Sequence, residues 1–206
     1  IAQRQKSPQQ DFLSALITVK EQDNKLSEEE IISVCMLLFF AGEETTVNLI
    51  GNGMLALLHH PQQMQQIKSE PKLIQSAVEE ILRYDSPIQI TTRVATEDVN
   101  IGGITIRVGE KALLCLGAAN RDPAQFPGPD HFDITRANNN HLAFSDGIHY
   151  CLGAVLARIE AEIAINTLVQ QLPELKLLQD NLEWRNKVSV RSLKALPITF
   201  KPTNVT

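Results

Sequence analysis

The sequence predicts a mainly helical protein with small β-sheets, and three observations carry that reading. Residues 27–60 and 152–171 repeat apolar side chains at helical spacing. Residues 88–116 change to short β-branched runs broken by Gly102-Gly103, a hairpin signal. The 206 residues are 43% hydrophobic with a net charge of -5, which suits a core and argues against nucleic acid as a partner. The apolar run 31–40 is too short to span a bilayer before Glu43 and Glu44 interrupt it, and no cationic segment leads into an apolar one at the start. No membrane is expected, and the expected compartment is the cytoplasm. Three cysteines, Cys35, Cys115 and Cys151, make neither a disulfide framework nor a CxxC zinc site. The first residue is Ile1 rather than methionine, so processing or truncation is expected.

Taken in order, residues 11–20 read as a short amphipathic helix and 21–25 as a polar turn. Ser27 and Glu30 then form a capping box, and Pro61 after His59-His60 supplies a stop. The helix between them runs roughly 33 residues, about 50 Å at 1.5 Å per residue. Its middle, FFAGEETTVN at 39–48, places Gly42, two carboxylates and two hydroxyls where a core is expected. Glycine costs about 1 kcal/mol against alanine in a helix, and buried polar groups need partners. Local rules broken together at one place mark a candidate functional site. A polar helix near 62–68 follows. Pro71 opens another over 71–85, with Leu73, Ile74, Ala77, Val78, Ile81 and Leu82 on one face, ending before Pro87. After the strands, 120–140 is an irregular loop rich in Pro, Asp and Asn, of a length that often carries function. The helix 152–171 ends at Pro173, and Val188, Val190, Leu196, Ile198 and Phe200 form a strand-like tail.

The stretch FSDGIHYCLG at 144–153 holds most of the chemistry. Cys151 stands just before a helix, where unpaired backbone N–H groups and the positive end of the helix dipole suit an anionic sulfur, a soft metal ligand. Gly147 permits a tight turn, and Gly153 lets a flat ligand approach the backbone. A lone cysteine among apolar neighbours is more often an inert core residue. That reading is kept for Cys35 and Cys115.

The spacing Phe144-x-x-Gly147-x-His149-x-Cys151-x-Gly153 resembles the heme-binding loop of the cytochrome P450 superfamily. Ala41-Gly42-Glu43-Glu44-Thr45 is similar to that family's oxygen-activation motif on its long central helix, and Glu80-Ile81-Leu82-Arg83 to its E-x-x-R helix. Residues 129–136, with Arg136, resemble its later arginine loop. Glu43 stands where the family often has histidine, and Ser145 where it often has glycine. The resemblance covers the C-terminal half of a family member, so residues 1–206 are expected to form a single partial domain with that half's fold.

The resemblance implies heme b, iron protoporphyrin IX, held by Cys151 as axial thiolate, with O2 as co-substrate. Ala41 and Gly42 would let the porphyrin and oxygen come close, Thr45 and Glu44 would relay protons, and Arg93 and His149 would meet heme propionates. Phe144, Gly147 and Gly153 complete the cofactor-binding set. Glu80 and Arg83, three apart on one helix, read alone as a solvated pair; the resemblance implies a buried structural network with Arg136. Leu38, 88–92 and 187–189 are expected to face a partly apolar substrate pocket.

The implied function is that of a heme-thiolate monooxygenase inserting one atom of O2 into a small apolar organic substrate. Electrons would come from a ferredoxin or flavodoxin with an NAD(P)H-dependent reductase, because the chain has neither a glycine-rich dinucleotide fingerprint nor a cluster-binding cysteine motif. A heme-free helper of similar fold, or a heme enzyme that uses peroxide or isomerises its substrate, remains an alternative.

Overall fold

The computed structural model describes residues 1–23 and 26–202. They fall into two compact units, Ile1–Glu44 and Thr45–Thr206.

The first unit holds α1 (Ala2–Lys6), α2 (Phe12–Asp23) and the opening of α3 (Glu28–His59). Asp11 starts α2 by accepting the backbone N–H of Ser14 at 2.8 Å, and its carboxylate also pairs with Arg4. These bonds hold the Asp11 pKa down to about 2. Because α2 continues to Asp23, the polar turn expected over 21–25 does not begin at residue 21; Asn24 and Lys25 lie outside the described residues. The capping box that opens α3 is reciprocal. Ser27 donates its N–H to Glu30 Oε2 at 2.6 Å, and Glu30 donates its N–H to Ser27 Oγ at 3.1 Å.

Only part of the middle of α3 is core: residues 39–44 are exposed, Thr45 and Thr46 are half-buried and Asn48 is buried. Phe39 and Phe40 are 68% and 65% exposed, and nothing lies within 4 Å of a Cβ placed on Gly42.

In the second unit the rest of α3 packs with α4 (Pro61–Ser69), α5 (Ile74–Tyr84) and α7 (Ala154–Gln171). A 3-10 turn at Pro71–Leu73 leads into α5, whose expected apolar face is buried: Ala77, Val78 and Ile81 are fully enclosed. Gly53 sits where α3 meets its neighbours. A Cβ there would lie 2.9 Å from Ile81 Cγ2 and 3.1 Å from Ile165 Cδ1, inside van der Waals contact. Phe132 and Ile134, from the long loop, close the same core.

Three antiparallel pairs make up the sheets: β1 (Thr91–Val94) with β4 (Lys111–Leu114), β2 (Val99–Ile101) with β3 (Ile104–Ile106), and β5 (Lys176–Leu177) with β6 (Ile198–Thr199). Gly102 and Gly103, at φ 57° and 84°, form the β2–β3 turn, which requires two left-handed residues. Of the strand-like tail, Ile198 pairs in β6 and Val190 makes a single bridge to Ile88; Val188 pairs with nothing in a sheet. The loop 120–140 contains no helix or strand, as expected.

Two cysteines depart from expectation. Cys115 is exposed and Cys35 only half-buried, so neither is a core residue. Cys115 follows β4 and caps the four-residue helix α6 (Leu116–Ala119).

Candidate heme-thiolate site

The loop 144–153 owes its shape to backbone bonds that local sequence dictates. Gly147, at φ 64°, opens a 3-10 turn ending at His149, and Tyr150 donates its N–H back to Gly147 O at 3.0 Å. The Cys151 N–H reaches across to Phe144 O at 2.9 Å and closes the loop. Gly153 caps α7, so Cys151 stands just ahead of the helix's free N–H groups. Nothing lies within 4 Å of a Cβ placed on Gly153. Cys151 and His149 are exposed, and Ile148 is 99% exposed.

Arg93 joins this loop from β1. Its Nη2 donates to Ser145 Oγ at 3.1 Å, while Nη1 donates to Thr91 Oγ1 at 3.1 Å and Thr92 O at 2.9 Å. The second unit therefore brings together Arg93, Phe144, Gly147, His149, Cys151 and Gly153. Ala41, Gly42, Glu44 and Thr45 lie in sequence along α3, the first three exposed and Thr45 half-buried.

Two charged networks hold the loop from behind. In the first, Glu80 and Arg83 are almost completely buried and bidentately paired at 2.8 and 2.9 Å. Arg136 adds a bond to Glu80 at 3.1 Å, as does Asn139 at 3.2 Å, and the Asp133 N–H at 2.8 Å. Arg83 spends its other donors on the carbonyls of Asn120, Pro129 and His131. Asn120 passes the restraint on, because its Oδ1 accepts the N–H of Leu142 at 2.7 Å, two residues before Phe144.

The second network went unread in the sequence. Glu79 accepts two bonds from Arg158 of α7, at 2.6 and 3.0 Å, and one from His141 Nε2 at 3.1 Å. The N–H of Ala143 donates to His141 Nδ1 at 3.2 Å, which places the imidazole proton on Nε2. Burial pushes the Glu79 pKa up, but the bonds from His141 and Arg158 outweigh it and hold the carboxyl at about 2. Arg158 also lies 4.6 Å over the Phe144 ring. Glu79 and Arg158 are 79 residues apart, so no local spacing announces them. Ser145 did give a signal, as a serine where glycine is frequent, but not its conformation.

Two of the segments expected to face substrate, 88–92 and 187–189, meet each other. Gln89 donates its N–H to Ser189 O at 2.9 Å, and Ile90, Cys115, Lys187, Val188 and Val190 help line a groove of about 370 Å³.

A family model described as cytochrome P450 matches residues 1–193. The chain belongs to the cytochrome P450 family. A biotin biosynthesis cytochrome P450 of Bacillus subtilis (strain 168) is 54% identical over 201 residues, 98% of this chain and 51% of that protein. A 6-deoxyerythronolide B hydroxylase of Saccharopolyspora erythraea is 43% identical over 201 residues, 96% of this chain and 50% of that protein. Among solved structures, P450BioI in complex with hexadec-9Z-enoic acid ligated acyl carrier protein matches with a TM-score of 0.91 and 53% identity, over 97% of this chain and 51% of that one. The chain thus spans about half the length of these P450 relatives. Its mainly helical fold with small antiparallel sheets is that of its P450 neighbours over the matched half.

Members of the P450 family are monooxygenases that use heme, held by a cysteine thiolate, together with O2. The residues of this loop fit such a group. Cys151 offers a single exposed thiol, the one protein ligand that a heme-thiolate iron takes. The open backbone at Gly153 admits a flat ring, and Arg93 keeps N–H groups for a carboxylate. Among the described residues no helix is long and apolar enough to cross a membrane.

Proposed function

We propose that this chain is the heme-binding half of a P450 monooxygenase domain that inserts one atom of O2 into a small apolar organic substrate. The observation that carries the reading is Cys151: an exposed thiol closing a backbone-bonded loop, with an open glycine beyond it and a helix behind. Heme bound there supplies dioxygen activation, with the thiolate donating electron density that favours O–O cleavage.

The protein's own residues do the rest. Cys151 would supply the sulfur that holds the iron. Arg93 and His149 would hold the carboxylates of the group through charge-assisted bonds. Ala41 and Gly42, the small residues of the α3 motif, carry over from the family as positions that would leave room for the cofactor. Thr45 holds a proton at its hydroxyl and Glu44 replenishes it from solvent; adjacent helical residues project about 100° apart, so the two divide those tasks. Electrons arrive from a ferredoxin or flavodoxin served by an NAD(P)H-dependent reductase, in the cytoplasm. An apolar substrate class is supported by the hexadec-9Z-enoic acid carried in the P450BioI complex.

The test is the optical spectrum of the reduced, CO-treated complete protein. A thiolate-type band is expected in the wild type and in Cys35→Ala and Cys115→Ala, and its loss in Cys151→Ala. A wild type without heme would instead favour a heme-free helper of the same fold.

A further inference from the structure

Ser145 occupies backbone that suits glycine. Its φ is 62°, where a Cβ crowds the backbone, and among the described residues only Glu174 shares that condition without being glycine. Gly147, two residues on, adopts φ 64° without the crowding. The hydroxyl offsets the strain through a contact glycine cannot make, since Ser145 Oγ accepts the bond from Arg93 Nη2. Thr91 and Thr92 already hold Nη1. A planar guanidinium tied at both nitrogens cannot swing, and two of its five N–H groups, Nε–H and one on Nη2, remain without a partner among the described residues.

We infer that Ser145 is a positioning residue for the cofactor: it accepts backbone strain in order to lock Arg93 with its two remaining N–H groups ready for a heme carboxylate. This rests on the reading of the Cys151 loop as the heme site. Serine here exchanges ease of folding for a fixed cation, and its two effects separate by substitution. Ser145→Gly relaxes the backbone and frees Arg93; Ser145→Ala frees Arg93 and keeps the strain.

The experiment follows heme transfer from the loaded, complete protein to an excess of apomyoglobin, alongside thermal unfolding. Heme is expected to leave both variants about three- to tenfold faster than wild type, the loss of one charge-assisted hydrogen bond. Ser145→Gly is expected to unfold at a higher temperature than Ser145→Ala. In an Arg93→Ala background, Ser145→Ala is expected to add nothing to the rate of heme loss. Heme loss at the wild-type rate from both variants would overturn the inference, as would an unchanged Ser145→Ala effect after Arg93 is removed. Equal unfolding temperatures for the two variants would overturn the role given to strain. A wild type without the thiolate-type CO band would reject the heme reading itself, and this inference with it, before the variants are compared.

Discussion

Cys151 owes its assignment to its surroundings, since Cys115 is an exposed thiol as well. What separates them is the loop: two open glycine positions, a closing bond to Phe144 O and the 18-residue helix α7 behind Cys151, against a four-residue helix behind Cys115. The sequence motif singled out Cys151, whereas burial of the other two was inferred from apolar neighbours and failed: Cys115 follows a strand whose Leu113 and Leu114 are exposed, and Cys35 lies on α3 beside the exposed Met36. On α3, Thr45→Ala in the complete enzyme is expected to slow product formation by about 10²-fold while NAD(P)H consumption continues, electrons being diverted to peroxide or water. Product and peroxide assays check this, and unchanged coupling would reject the relay. Glu79 makes a pH prediction. Its folded pKa, about 2, lies below the ordinary 4.5, so the stability it contributes is present above pH 4.5 and is lost as pH falls toward 2. Urea unfolding between pH 5 and pH 3 is expected to show a shallower loss for Glu79→Gln than for the wild type.

Among elements, α5 is the one that anchors the site, because adjacent carboxylates on it serve two networks. Arg83 grips the loop 120–140 through its carbonyls, Glu80 accepts from the Asp133 N–H, Arg136 and Asn139 of the same loop, and Glu79 ties α5 to α7. Arg83→Ala is expected to destabilise the fold by about 3–5 kcal/mol, since it strips a partner from a buried ion network. The readout is denaturant unfolding with heme content; normal heme content with slow turnover would contradict a structural role. The helix itself was legible, because Ala77, Val78 and Ile81 repeat at helical spacing and Pro71 and Pro87 bracket it. The pairing of Glu80 with Arg83 was legible only as a spacing of three. Its burial was not, because the enclosing carbonyls come from 37 to 48 residues away in a loop without periodicity.

Across the whole molecule, α7 turns Val155, Leu156, Ile159 and Ile163 toward solvent, next to the exposed Leu152 that precedes it, while Ala161, Ile165 and Val169 are buried. A contiguous apolar stripe of that kind favours association. The 206-residue chain expressed by itself is therefore expected to elute above its monomer mass and to hold heme weakly, measured by size-exclusion chromatography with absorbance at the heme band. Helix boundaries and the hairpin could be read ahead of the structure because caps, prolines and paired glycines act locally; the exposure of α3's middle and of this stripe could not, since periodicity reports an apolar face and not what covers it. Gly53 turns this around. A methyl group there would crowd Ile81 and Ile165 and force those side chains to shift. The two positions fail in different ways: a substitution at Gly53 would be felt in the yield of folded protein, one at Cys151 in its colour.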